Sequence, residues 1–306
     1  MKTIQALPVL GLAIVLACLA SVADARNARA VRKQAEGSML VTGRVTITRE
    51  GTVDGWTIDR RDDLPPAVVN VIDASAPGWR FEPILLDGKP AHGSARMSLR
   101  MVAERIDDER FRVSIRDGYF GREAVRMAKR VDGSPDAPAD EAPGDQVGKA
   151  RMGAPRYPDL ALRAGVTGTV YVVVRIGHSG QVEDAAVEQV NLRVVGPVRE
   201  MARMRDMLAQ SALAAARRWE FHPPTHGEAA DEPFWSVRVP VDYRIHGLGQ
   251  PAEYGRWEVY VPGPRMPVPW QMESLEGSDI APDTLVAGEV YQAGTALKLL
   301  GPLEGG

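Results

Sequence analysis

An α+β fold of two small units, each a short antiparallel sheet packed on one or two helices, with a Pro/Gly-rich C-terminal tail, is predicted by three observations. The first is a doubled frame: Trp79-Arg80-Phe81-Glu82-Pro83 and Trp219-Glu220-Phe221-His222-Pro223 share W-x-F-x-P. The second is another doubled frame upstream, Ile47-x-x-x-Gly51-x-Val53 and Ile176-x-x-x-Gly180-x-Val182. The third is that a helix-like stretch separates the two frames in both copies, in the same order. Such recurrence marks an internal duplication. The predicted organisation is an N-terminal targeting segment (1–25), a first unit (38–121), an acidic Pro/Ala/Gly linker (131–148), a second unit (154–247) and the tail (248–306).

The chain has 306 residues, 44% of them hydrophobic, and a net charge of -3. That is enough apolar material for real cores and too little positive charge for a nucleic-acid partner. Lys2 precedes an uncharged apolar run from Leu7 to Ala20, and Ala23-Asp24-Ala25 then gives an A-x-A cleavage pattern. The expected mature chain starts at Arg26 and is periplasmic. The alternative is an uncleaved inner-membrane anchor, against which stand Pro8 and the small-residue end. Cys18, the only cysteine, lies within this segment, and Val15-Leu16-Ala17 is a poor lipoprotein signal. The mature chain would have no thiol, which excludes a disulfide framework, a Cys nucleophile and a zinc ribbon.

In the first unit, Met39–Thr48 and Thr52–Ile58 read as strands turned at Glu50-Gly51, where glycine accepts positive φ at little cost. Asp62-Asp63 read as acidic caps before Pro65-Pro66, and Val68, Ile72 and Ala76 give an apolar helix face that Pro77-Gly78 ends. Met97, Leu99 and Met101 alternate with Arg96, Ser98 and Arg100 as a half-buried strand, and Phe111–Ile115 reads as another. The acidic, Pro- and Gly-rich composition of the linker buries too little apolar area to offset its ordering entropy.

In the second unit, Tyr157-Pro158 opens a short helix to Ala164. Val170, Val172, Val174 and Ile176 alternate along a strand whose hairpin partner is Gln181–Val190. Asn191–Arg205 reads as a loop insertion, and Asp206–Arg217 as a helix with Leu208, Ala212 and Ala215 or Ala216 on one face. Trp235–Ile245 closes the unit. The tail's Trp257, Tyr260 and Trp270 point to packed segments without defining a fold.

Pro155-x-Tyr157-Pro158, Gly168-x-Val170, Ile176 with Gly180-x-Val182, the Ala-rich helix, Trp219-x-Phe221-x-Pro223, Gly227 and Val239-x-Val241-x-Tyr243-x-Ile245 together resemble the TonB C-terminal domain family. The likeness covers about 90 residues, and the first unit resembles a degenerate copy without the Tyr-Pro opening. The resemblance implies a periplasmic adaptor in a Gram-negative envelope that recognises an outer-membrane receptor segment by adding it to its sheet, powered through the ExbB–ExbD motor. The N-terminal segment lacks the histidine expected of a motor-contacting anchor, no long Pro-rich spacer precedes the second unit, and there are two units and a tail. These departures count against motor coupling and leave strand addition as the expectation. The alternative is an envelope structural or assembly protein that reuses the fold, including a homo-oligomer formed through an edge strand.

No constellation supports an enzyme, and no catalytic residue, metal ligand or cofactor is expected. His222 and His226 are four apart, but Pro223 and Pro224 forbid the helix that would align them. G-x-S-x-G, H-E-x-x-H and phosphate-binding glycine loops are absent from the sequence. Trp79 and Trp219 read as core aromatics where helix meets sheet. Arg203, Arg205, Arg217 and Arg218 read as a solvated helix face, with guidance of an acidic partner as the alternative.

The candidate binding element is the closing strand. Val237, Val239, Val241, Tyr243 and Ile245 share one face, and Ser236, Arg238, Pro240, Asp242 and Arg244 the other, read as wet. Pro240 lacks an N–H and belongs on an edge. An extended partner segment would satisfy that edge, with Ser236, Arg238, Pro240, Asp242 and Arg244 in contact and Tyr157 and Pro158 beside it.

Overall fold

A computed structural model describes residues 35–86, 88–107, 110–122, 144–245, 254–270, 281–292 and 294–304. The targeting segment and linker residues 131–143 lie outside the described residues, as do 248–253 and 271–280 of the tail. The protein is α+β, mostly antiparallel sheet with few helices.

The first sheet contains β1 (Glu36–Ile47), β2 (Val53–Ile58), β5 (Gly93–Arg105) and β6 (Phe111–Arg122), with α1 (Pro66–Ser75) and the small hairpin β3 (Ile84–Leu86) and β4 (Lys89–Ala91) between β2 and β5. The second contains β8 (Gly168–Ile176), β9 (Val182–Leu192) and β11 (Trp235–Tyr243). Around it lie β7 (Gly148–Arg151), α2 (Asp159–Arg163), α3 (Val198–Ala216) and β10 (Glu220–His222). The tail adds β12 (Glu258–Tyr260) to the first sheet and β13 (Tyr291–Gln292) to the second. Among the described residues the first order is β12-β1-β5-β6 with β2 also on β1, and the second is β13-β11-β8-β9. In each sheet the opening strand lies between its hairpin partner and the closing strand.

The doubled frames make the same contacts in both sheets. Gly51 and Gly180 take φ of 82° and 78°, which favours glycine. An added Cβ would lie 2.1 Å from the Phe81 carbonyl oxygen at Gly51 and 2.2 Å from that of Phe221 at Gly180. The glycine carbonyls in turn accept the N–H groups of Phe81 and Phe221, both at 2.8 Å. The W-x-F-x-P frame is therefore locked onto the turn of the other frame. Trp79, Phe81, Val68, Ile72 and Ala76 are buried in the first core, and Trp219, Phe221, Leu208, Ala212, Ala215 and Ala216 in the second.

Each tryptophan indole is also held by a backbone strap. Trp219 donates to the Gly153 carbonyl at 2.8 Å while β7 pairs with β10. Trp79 donates to the Leu303 carbonyl at 2.7 Å while Leu299 bridges Phe81 and the Lys298 carbonyl accepts from Glu82 at 2.9 Å. Segment 298–303 thus does for the first sheet what 148–153 does for the second.

Several expectations are corrected. The helix assigned to 206–217 begins at Val198, so 198–205 is not loop. Pro197 sits extended at its cap and Met201 continues the buried stripe, a periodicity obscured by Arg199, Glu200, Arg203 and Arg205. Asp62 and Asp63 form a 3-10 turn and give α1 no side-chain cap. The linker's last residues are ordered: the Gly144 carbonyl accepts from Thr225 at 2.7 Å, and Val147 joins the second core. β6 extends to Arg122, well past Ile115. Among the described residues no helix is long and apolar enough to cross a membrane.

Replacing Trp79 by Phe keeps an aromatic ring but removes the pyrrole part of the indole with its N–H, leaving a small cavity and an unpaired Leu303 carbonyl, at a cost of about 2–4 kcal/mol. Urea denaturation should report that loss, and amide exchange should quicken at 297–303. Trp219→Phe should instead quicken 149–153.

Candidate functional site

β11 is paired with β8 along its whole length, from Trp235↔Ile176 to Tyr243↔Gly168. Its other edge meets the tail. Among the described residues β13 pairs with Val237 and Arg238. The Gly288 N–H donates to the Pro240 carbonyl at 3.1 Å, so the backbone polar side of Pro240 faces this outer edge, where a missing N–H breaks no ladder bond within the second sheet. The Trp270 indole donates to the Ser236 hydroxyl at 3.1 Å.

The face read as wet is buried at Arg238 and Pro240 and half-buried at Ser236, Asp242 and Arg244. Val237, Val239, Val241 and Tyr243 point into the second core as expected. The opposite face, however, turns toward the first sheet. Arg238 is only 5% exposed and Tyr171 2%, and Val173 on β8 is fully buried. Residues of both sheets, Ser38 and Arg100 with Thr169, Tyr171, Asn191 and Arg193, line one small cavity. The sequence signal for this was the unbroken apolar run Val170-Tyr171-Val172-Val173-Val174, the mark of a strand buried on both faces.

Buried charge on this face is paired. Arg238 donates to Glu188 of β9 at 2.6 Å and 3.2 Å, and Arg265 of the tail reaches the same carboxylate at 2.9 Å. At the end of β11, Asp242 pairs with Arg193 at 2.7 Å and with Arg244, while Glu258 of β12 pairs with Arg244 at 2.8 Å and Arg193 at 3.0 Å. Burial pushes the Asp242 carboxyl up, but the Arg193 and Arg244 guanidiniums outweigh it and hold the group below the ordinary carboxylate value. Asp242 and Arg244 are thus brought together, and the tail supplies their partner. Sequence reasoning missed Arg193, Glu258, Glu188 and Arg265. Glu188, one acid among Val187, Val190 and Leu192, carried a signal of a buried pair; Arg265, between Pro264 and Met266, carried none.

Pro158 caps α2, and Tyr157 packs edge-on against Tyr243 with ring centroids 5.3 Å apart, its hydroxyl donating to the Val166 carbonyl. Burial, then the nearby Asp242 charge, pushes the Tyr157 hydroxyl up to about 12, against Arg193. The pair sits at the Tyr243 end of β11, while Ser236 and Arg238 lie at its other end. Pro158 also borders a shallow groove between α2 and α3 with Leu160, Met207 and Arg218.

Curated relatives resemble one third of the chain. Protein TonB of Xanthomonas campestris pv. campestris is 34% identical over 101 residues, 33% of this chain and 39% of its own length. Protein tonB2 of Pseudomonas aeruginosa is 31% identical over 104 residues, 34% of this chain and 33% of its own. The chain carries a TonB C-terminal-like domain. The match has about the length of one unit, and the chain spans only a third or so of these relatives. No family model matches, and no solved structure matches. The motifs behind the TonB resemblance lie in the second sheet and its helices, with β11 as the closing strand.

Removing the Arg238 side chain leaves Glu188 buried with Arg265 alone. Arg238→Ala should lower unfolding stability by about 2–4 kcal/mol, read as a lower denaturant midpoint.

Asp117 on β6 faces the same layer. Burial, then the neighbouring Asp283 charge, raises its carboxyl to about 6, against Arg116, Arg100 and Arg265. Its folded value lies above its unfolded one, so the folded state takes up the proton first and gains stability as pH falls through about 6. Stability should rise by about 1 kcal/mol between pH 7.5 and 5, the size limited by partial solvent access. Asp117→Asn should flatten that slope in pH-dependent urea melts. Asp242, held low, loses its contribution only below about pH 4 and stays out of this window.

Proposed function

We propose that the protein is a periplasmic TonB-like adaptor that recognises an extended peptide segment of an outer-membrane or envelope partner by strand addition to β11. The observation that carries this reading is the outer edge of β11: its ladder partner β13 spans two residues of a nine-residue strand. An extended segment aligned there would gain backbone hydrogen bonds along Ser236–Arg244. The relatives named TonB support the same reading for the domain. Ser236, Pro240 and the backbone of Arg238, Asp242 and Arg244 would meet the segment, with Tyr157 and Pro158 at the Tyr243 end. The Arg238 and Asp242 side chains hold their ion pairs and set the strand's position. Motor coupling through ExbB–ExbD is no part of this proposal.

A second reading, an envelope structural or assembly protein, is favoured by one observation: the tail contacts both sheets and covers part of the same edge. Amide-exchange mapping with synthetic peptides from the periplasmic faces of outer-membrane receptors separates the two. New protection at 239–243 is the expected result. Protection confined to other surfaces, or dimerisation through β11 with no peptide effect, overturns the adaptor reading.

A further inference from the structure

We propose that tail residues 286–292, Val-Ala-Gly-Glu-Val-Tyr-Gln, are the chain's own occupant of the β11 edge, a built-in competitor whose chemistry matches the peptide that edge accepts. This rests on the strand-addition reading and adds what regulates and selects at that site. The segment is antiparallel to β11 and alternates in what it touches. Val290 packs against the second core. Tyr291 points the other way, its ring edge-on to Tyr119 at 5.0 Å and its hydroxyl accepting the Val286 N–H at 2.8 Å. The Gln292 side-chain oxygen accepts the Val147 N–H at 2.8 Å. Glu289 pairs with Lys149 at 3.2 Å, and Lys149 also donates to the Gly288 carbonyl at 2.6 Å.

The edge therefore offers a slot for a β-branched residue, a donor for an amide oxygen two positions on, and a lysine for an acid one position before. The partner it fits is an extended segment of the order acid, β-branched, aromatic, amide. The occupant is anchored at both flanks, and between them its side chains are engaged while its backbone ladder to β11 is short. Before it, Thr284 is fully buried and Tyr260 donates to Asp283 at 2.5 Å. After it, Leu297 donates to the Phe120 carbonyl at 2.8 Å and lies in the first core. In between, β13 contributes a two-residue ladder. A short segment anchored on both sides can open locally without releasing the tail, and its tethering keeps it a strong competitor.

The test measures binding of a labelled synthetic peptide of residues 286–292 to the full chain in four forms. Wild type is compared with Tyr291→Ala, which loosens the occupant. A Val237→Cys/Gln292→Cys pair, directly opposed in the ladder, is compared oxidised and reduced. The expected result is roughly tenfold or tighter binding by Tyr291→Ala than by wild type, since the competent state is freed. The oxidised chain should bind roughly tenfold or more weakly than the same chain reduced. Equal affinity in all four forms, or binding by none, overturns the built-in competitor. A receptor peptide run in parallel keeps the two readings apart. If it protects 239–243 equally in oxidised and reduced chains, strand addition stands and self-competition falls. If it protects only other surfaces, both fall.

Discussion

The constraint on which this structure depends is the polar face shared by its two sheets. One face of each sheet is apolar and closed by its own helix. The opposite faces carry Ser38, Ser98 and Arg100 on the first sheet and Tyr171, Glu188, Asn191 and Arg238 on the second. Burying such groups without partners costs about 1–3 kcal/mol each, and more for the charges. The tail removes that cost. Asp283 and Thr284 offer backbone carbonyls to Arg100 and Ser98, the Tyr260 hydroxyl accepts from Asn191, and Gly263 donates to Asn191 at 2.9 Å. A third layer, one segment thick, thus makes two half-polar sheets compatible with burial.

The same tail supplies the strap of the first sheet. In the second sheet a strap precedes the fold in sequence and receives the Trp219 indole. In the first, the strap arrives from the far end of the tail, with Leu299 opposite Phe81 and Leu303 under Trp79, the same four-residue offset as Lys149 and Gly153. The strap's hydrogen bonds use main-chain groups, while Leu297, Leu299 and Leu303 add apolar contacts to the first core. Main-chain bonding of this kind leaves no motif in the tail's sequence, while the tryptophan that receives it is conspicuous.

Legibility followed the same division. Positions constrained by sterics were readable: Gly51 and Gly180 because a Cβ would strike a carbonyl, and Val68, Ile72 and Ala76 because a helix face must repeat at its period. The α+β class and the closing strand Trp235–Tyr243 followed from such patterns. Burial against another part of the chain was not readable by alternation alone. Ser236, Arg238, Pro240, Asp242 and Arg244 alternate as a solvated face would, yet Arg238 is enclosed because Glu188 and Arg265 arrive from elements distant in sequence. Period 2 reports that two faces differ in polarity, not that one of them is wet. The short helix at Tyr157-Pro158 was legible from its proline; the start of α3 was not, because arginines interrupt its stripe.

An edge strand must be paired, covered or charged to avoid indiscriminate association. β11 combines these devices unevenly. Its Pro240 withholds a donor, its neighbour β13 covers Val237 and Arg238, and Gly288 supplies one further bond at Pro240. Had protection been the sole requirement, a continuous partner like β6, which pairs with β5 from Ala95 to Arg105, was available within the same fold. The first sheet closes its equivalent edge with twelve residues and the second with two. Two corresponding strands in one chain thus differ in how completely their edges are closed. The less completely closed one lies in the sheet that bears the TonB motifs. That asymmetry is what supports the proposal of recognition on the second sheet rather than the first.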